Sequence, residues 1–365
     1  MAGLTLNTTS CVRSISKFSD CNLCEVICPV EAIKVAPESL PAINLHSCIG
    51  CGGCVGVCPT EALHLDNLSA MEFFFEFANE ENSLISCQKN VPCLSVLNVE
   101  YLIALASLKE ELVLDMGHCN TCSIKSTCKP QIEKNVEEAN YVLDARIQSA
   151  KVTMKNFAYL DESVKPDSSR RDFFETFTLK NAFKAKKDFD RDVEIAIDEF
   201  KEHSVNTSEI SKLRQKELIA KRKLHIMALK RVDKPEAYHV VDSSELTFTS
   251  QKLLNEASCT ACQICYRICP TGALSSDMKN SKIDFDAFMC IKCHLCHDVC
   301  EPNAITVSPS YNVKEFFEPK IQRLITYDVK SCNECGMHFT SLKGEKICRR
   351  CALEEEEAKD LWGIE

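Results

Sequence analysis

The stretch CTACQICYRICP, residues 259–270, decides the reading: Cys259, Cys262, Cys265 and Cys269 stand at intervals of three, three and four, directly ahead of Pro270. The pattern returns in CIKCHLCHDVCEP, residues 290–302, as Cys290, Cys293, Cys296 and Cys300. Toward the N-terminus, CIGCGGCVGVCP at 48–59 supplies Cys48, Cys51, Cys54 and Cys58, and CNLCEVICP at 21–29 supplies Cys21, Cys24 and Cys28. These last three map onto Cys262, Cys265 and Cys269 at a constant offset of 241. Spacing repeated in this order marks an internal duplication. It uses 15 of the 25 cysteines.

Each motif offers three thiols from one tight loop and a fourth just before a proline or a Glu-Pro. Loop amides can then face the sulfurs of an inorganic cluster, and Gly50, Gly52, Gly53 and Gly56 allow close approach. Short strands at 43–45 and 283–285 are expected to lead into the loops. A short helix start and an apolar step are expected after each fourth cysteine, at 29–33, 59–63, 270–274 and 302–305. Zinc knuckles also use Cys-x2-Cys pairs, but they need two pairs per ion. Four three-thiol loops followed by prolines suit cubane clusters better.

Composition agrees. The 365 residues are 45% apolar, which excludes a disordered chain, yet one Trp and seven Tyr make a thin aromatic core. Metals are the expected supplement. The net charge of −10, the lack of a signal-like N-terminus and the lack of a long apolar run lead to the expectation of a soluble, cytoplasmic protein. In a reducing cytosol, many cysteines argue for metal over disulfides.

Residues 11–66 and 256–308 resemble bacterial two-cluster 4Fe–4S ferredoxins, and the whole chain resembles a polyferredoxin. The resemblance implies that each fourth cysteine serves the neighbouring cluster. Four 4Fe–4S clusters are then expected, held by Cys21, Cys24, Cys58 and Cys11; by Cys28, Cys48, Cys51 and Cys54; by Cys259, Cys262, Cys265 and Cys300; and by Cys269, Cys290, Cys293 and Cys296. One position departs from the pattern, since counting back from Cys21 puts Phe18 opposite Cys259. Cys11, in a Cys-x-Arg lead like that of related polyferredoxins, is taken as the substitute ligand. The alternative is a cluster with three protein thiolates and Cys11 as an ordinary buried cysteine.

Residues 84–148 read as a βαβα unit: strands at 84–86 and 112–114, helices at 94–108 and 131–149. Cys87, Cys93, Cys119 and Cys122 lie at the same ends of the two strands, where α/β sheets place their sites. Partial resemblance to iron–sulfur subunits of hydrogenase and heterodisulfide reductase complexes points to a fifth metal site there, with a fifth iron–sulfur cluster as its candidate occupant and Cys128 spare; plain burial is the alternative. Cys332, Cys335, Cys348 and Cys351 form two knuckles twelve residues apart, a pattern for one structural zinc ion, with rubredoxin-type iron as the alternative.

The fold class expected is α+β, divided as an N-terminal ferredoxin module at 1–70, a cysteine-rich α/β unit at 71–150, a charged helical connector at 151–250, a second ferredoxin module at 251–312 and a zinc-ribbon-like region at 313–365. In the connector, a helix from Thr207-Ser208 to Arg231 is expected, with Ile210, Leu213, Leu224 and Met227 as its apolar stripe and Lys212, Arg214, Lys216, Lys221, Arg222, Lys223, Lys230 and Arg231 facing solvent. It either braces the two modules or docks an acidic partner. His203, His225 and His239 read as surface residues. Phosphate-binding, nucleophile-elbow and metalloprotease motifs are absent from the sequence. The expected function is single-electron relay with a formate dehydrogenase-like or hydrogenase-like oxidoreductase, cytoplasmic or membrane-associated, without nucleic-acid binding or membrane insertion and without catalysis of its own. The competing function is an iron–sulfur sensor or an assembly factor that recognises clients through the zinc ribbon.

Overall fold

The computed structural model describes residues 3–146, 149–157, 216, 218–342 and 344–363, and it is α+β. Each half of the duplication folds on the same frame. Strand Leu4–Leu6 pairs antiparallel with Leu63–Leu65, and Ile33–Lys34 pairs with Ala42–Ile43. In the second half Lys252–Leu254 pairs with Ile305–Val307, and Leu274–Ser275 with Lys282–Asp286. Thus the first strand of each half closes on its last. The cysteine motifs lie on either side of the hairpin inside each half, in the segments that join it to the first and last strands.

The expected helix starts after the prolines do not form. Glu31, Glu61 and Asn303 take φ near +50° and Gly272 takes +78°, so each segment turns sharply and passes straight into a strand. The short helices lie within the cysteine motifs instead, at Leu23–Val26, Gly53–Val57, Ile264–Ile268 and Leu295–Asp298.

Strands Leu84–Ser86, Glu111–Asp115 and Lys151–Lys155 form a parallel sheet in that order. The expected boundary at 150 therefore cuts this sheet, whose third strand lies beyond it. Helix Val99–Lys109, capped by Asn98 (Tyr101 N–H to Oδ1, 3.0 Å), is buried from Val99 to Ser107 on every face. Such a helix shows no amphipathic stripe, and its expected start at 94 is a separate 3₁₀ turn, Leu94–Val96. The next helix spans Lys125–Asp144, starting six residues before the expected 131. Helix Ala70–Asn79 has no counterpart in the sequence-based expectation. Its signal is Ser69 three residues ahead of Glu72, whose N–H donates to Ser69 Oγ at 3.2 Å.

Helix Ala220–Lys230 overturns the solvated-face expectation at its start: Lys221 is 5% exposed and Arg222 is fully buried, and the helix packs against Val99–Lys109. Lys230 and Arg231 are exposed and Leu224 and Met227 are buried, as expected. His225 is buried too, with its ring 5.1 Å from that of Phe316, so it is no surface residue. The expected helical start at Thr207-Ser208, with Ile210, Lys212, Leu213 and Arg214, and His203 lie outside the described residues.

Past residue 312, strand Ile321–Thr326 adds to the second half's hairpin, next to Lys282–Asp286. The expected boundary at 312 cuts that sheet as well. Only beyond it do Asp328–Ser331 and His338–Ser341 form a separate hairpin, followed by helix Arg349–Trp362.

Candidate metal centres

Four loops share one construction. Asn7, Asn44, Asn255 and Asp286 each stand four residues before a cysteine: Cys11, Cys48, Cys259 and Cys290. Each donates its N–H to the carbonyl of an alanine, Ala62, Ala32, Ala304 or Ala273, at 2.7–2.8 Å. Each also accepts, through its side chain, the N–H two residues on, from Thr9, His46, Ala257 or Phe288, at 2.9–3.1 Å. These Asx turns start the loops. The alanine in each pair lies four residues after Cys58, Cys28, Cys300 or Cys269. One backbone bond therefore brings every fourth cysteine of a motif to the first cysteine of a different loop.

This construction corrects the alignment at the irregular position. Cys11 lies five residues after Leu6, the end of its strand, just as Cys259 lies five after Leu254. Cys11, and not Phe18, occupies the place of Cys259. The seven extra residues follow Cys11 and hold the short helix Val12–Ile15. Arg13 fastens them: its guanidinium donates to the carbonyls of Ser39 (2.6 Å), Ser19 (2.7 Å), Ala36 (2.9 Å) and Cys21 (3.2 Å). Phe18 is 64% exposed.

Inside the three unbroken loops the backbone crosses the left-handed region twice, at Gly50 and Gly52, at Ala261 and Gln263, and at Lys292 and His294. Gly53 and Gly56 do other work. A Cβ on Gly56 would strike the backbone of Ser95 and Val96, and one on Gly53 would sit 3.2 Å from Ile27 and Ser95, so both glycines seat their helix against the α/β unit.

The thiols gather as the frame dictates. Burial pushes Cys24 up to about 12, reinforced by the neighbouring thiolates of Cys21, Cys58 and Cys11. Burial likewise pushes Cys54 up to about 12, followed by Cys51, Cys24, Cys48 and Cys28. In the second half burial raises Cys265, beside Cys262, Cys296 and Cys259, and Cys293, beside Cys269, Cys290 and Cys296. Thiols crowded and buried in this way can lose their protons only if positive charge is placed among them. One surface pocket is lined by Cys28, Cys48, Cys51 and Cys54, and another by Cys259, Cys262, Cys265 and Cys300. The N–H groups of Ala32, Ala62 and Ala304 donate to the sulfurs of Cys28, Cys58 and Cys300 at 3.1–3.2 Å. The left-handed residue before each alanine aims that N–H.

In the α/β unit Cys87 follows strand Leu84–Ser86, and Cys119 sits in the turn after Glu111–Asp115. Burial raises both to about 11, with Cys93 and Cys122 among the neighbours of each. Cys128 is not a bystander. On helix Lys125–Asp144 its thiol lies beside those of Cys93 and, in the first half, Cys51, and holds both below the ordinary thiol value. The four expected residues and Cys128 thus adjoin the first half.

Cys332, Cys335, Cys348 and Cys351 differ in scale. Their four sulfurs lie within 4.8 Å of one another, and no other three His, Cys, Asp or Glu ligand atoms do so among the described residues. Cys335 and Cys348 Sγ are 3.8 Å apart. A tetrahedron with metal–sulfur bonds of ~2.3 Å has an edge of about 3.8 Å. This quartet suits a single ion, whereas the wider groups suit a larger object.

Comparison with known proteins bears on the two halves. Residues 251–301 match the family model of a 4Fe-4S dicluster domain, and residues 18–68 match the LdpA Fe-S cluster-binding domain. A stretch of 45 residues is 44% identical to a subunit of the ion-translocating oxidoreductase complex of Methanosarcina acetivorans; it covers 12% of this chain and 17% of that protein. Both halves carry iron–sulfur cluster-binding regions. Among the described residues no helix is long and apolar enough to cross a membrane.

Proposed function

We propose that the chain is a polyferredoxin that carries single electrons between redox enzymes. The observation behind this reading is the fourfold Asx–alanine frame, which pairs the fourth cysteine of each motif with the loop of another. The ligand sets are then Cys11, Cys21, Cys24 and Cys58; Cys28, Cys48, Cys51 and Cys54; Cys259, Cys262, Cys265 and Cys300; and Cys269, Cys290, Cys293 and Cys296. The two halves act as ferredoxin modules, Cys87, Cys93, Cys119 and Cys122 as a fifth site, and Cys332, Cys335, Cys348 and Cys351 as a zinc ribbon. When bound, a four-iron cluster supplies reversible one-electron chemistry, and four cysteine ligands leave it no open position for substrate. The chain's own groups hold the thiolates, donate N–H bonds to them and limit water around them, which sets the potential.

The partner is a cytoplasmic or membrane-associated oxidoreductase of the formate dehydrogenase or hydrogenase kind. Support for a redox-complex partner comes from the relative named as a subunit of an ion-translocating oxidoreductase complex. Metal and sulfide analysis of anaerobically purified protein tests the reading. About 16 irons with matching labile sulfide are expected from the four groups, and up to about four more from the fifth. About one zinc is expected besides. Several zincs without labile sulfide would sink the proposal, and clusters lost on oxidation without reversible reduction would replace the carrier with a sensor.

A further inference from the structure

Helix Ala220–Lys230 meets both halves at their cysteine loops. Its first N–H groups are capped from the first half: Ala220 donates to Glu61 Oε2 at 2.7 Å and Lys221 to Glu61 Oε1 at 3.0 Å. With the helix start fixed, Lys221 Nζ donates to the carbonyl of Cys58 at 2.8 Å. The next residue reaches the other half. Arg222 Nη2 donates to the carbonyls of Phe248 at 2.9 Å and Cys290 at 3.1 Å, while its other nitrogens bond the Phe288 carbonyl and the Glu100 carboxylate. Consecutive side chains therefore hold one cysteine carbonyl in each half.

A brace between modules needs no such placement. Burying an ammonium and a guanidinium is costly unless each is paired and fully hydrogen-bonded, and surface residues would join two domains at lower cost. Here both cations are buried where the cysteine loops approach each other. We propose that Lys221 and Arg222 form the electron junction between the two halves, linking the group of Cys11, Cys21, Cys24 and Cys58 to the group of Cys269, Cys290, Cys293 and Cys296 through the carbonyls of Cys58 and Cys290. The inference rests on the electron-carrier reading. One electron leaves one group as the other receives it, no bond forms or breaks, and no proton moves; the electron is supplied by a low-potential one-electron reductant. The junction also orders the sites along the molecule. Cys128 links the α/β unit to the Cys51 group at one end, and Cys259 lies beside Tyr327 at the other.

The test uses the full chain with its clusters loaded. Less than one equivalent of dithionite is added and samples are freeze-quenched over time for electron paramagnetic resonance. Signals are assigned to each half with Cys11→Ser and Cys259→Ser. In the parent, electrons are expected to redistribute between the halves before the first time point. In Lys221→Met, which keeps most of the stem and loses the donor, each half should still accept electrons at unchanged iron content while redistribution is lost or delayed. Lys221→Arg should restore it. Equal redistribution in Lys221→Met and the parent overturns the junction, as does a parent whose halves reduce independently. Iron loss in Lys221→Met makes the residue structural and also overturns it. A parent in which neither half can be reduced overturns the carrier reading itself, a result distinct from all of these.

Discussion

The two halves use one frame with different surroundings. Both start their loops with an Asx turn and tie the remote cysteine by the same N–H to alanine bond. The first half uses Gly50 and Gly52 for its left-handed pair, whereas the second uses Ala261, Gln263, Lys292 and His294. The first half breaks its opening loop with seven extra residues pinned by Arg13, while the second keeps the loop intact and lays Tyr327 beside Cys259, 3.2 Å from hydroxyl to sulfur. Backbone hydrogen bonds fix where the sulfurs sit, so side chains around them are free to diverge. The halves should therefore bind the same kind of group at different potentials.

The severest way to break the comparison is to remove the cysteine whose place is disputed. Cys11→Ser and Cys259→Ser should each damage one cluster and give a three-iron signal absent from the parent, because serine oxygen is a poorer ligand for cluster iron than thiolate. If Cys11→Ser matches the parent while Cys259→Ser does not, the two positions are not equivalent.

Next in size is the helix that joins the halves. Glu100 is buried, and burial alone would raise its carboxyl, but Arg222, His225 and Lys221 hold it down at about 2. Glu100→Gln leaves Arg222 buried without its counter-charge, at a cost of about 3–5 kcal/mol in denaturant unfolding. Because the folded value lies below the unfolded one, the parent has this stabilisation in full above about pH 4.5, the ordinary value, and loses it as pH falls toward about 2. Glu100→Gln should lack that acid-dependent loss, and an unchanged pH profile would break the pairing.

Left-handed residues sharpen the contrast between halves. Gly50→Ala should destabilise by about 1 kcal/mol, and Ala261→Gly should stabilise by a similar amount less the added freedom of the unfolded chain, as read by thermal unfolding. The same sign at both positions would show that the loops are not built alike. The smallest expected effect is electronic. With the Cys259 thiolate bound to metal, the Tyr327 hydroxyl is the donor, and its bond favours the more negative, reduced state. Tyr327→Phe should lower one midpoint potential by roughly 20–60 mV, the one-electron equivalent of a hydrogen bond of about 0.5–1.5 kcal/mol. A redox titration in which no potential moves would remove Tyr327 from the contrast.

Cysteine spacing alone locates the loops, the duplication and the narrow Cys332 quartet, because ligand spacing along a tight loop is a local property and survives without the rest of the fold. The parallel strands at 84–86 and 112–114 are legible for the same reason, as short apolar runs between polar segments. Position Cys11 is half-legible: the sequence selects its thiol, but spacing from Cys21 aligns the wrong residue, and the informative signal is Asn7 four residues upstream, matched by Asn44, Asn255 and Asp286. What tertiary structure alone decides is the fate of charge. Lys221 and Arg222 read as solvated because basic residues usually are, and nothing local announces Glu100 or the carbonyls of Cys58 and Cys290, which stand 121, 163 and 69 positions from Lys221. Glycine roles divide in the same way. Gly50 answers to the local turn and Gly52 both to that turn and to Val96, whereas Gly56 answers to the backbone of Ser95 and Val96, a surface that exists only once the α/β unit has folded against the loop.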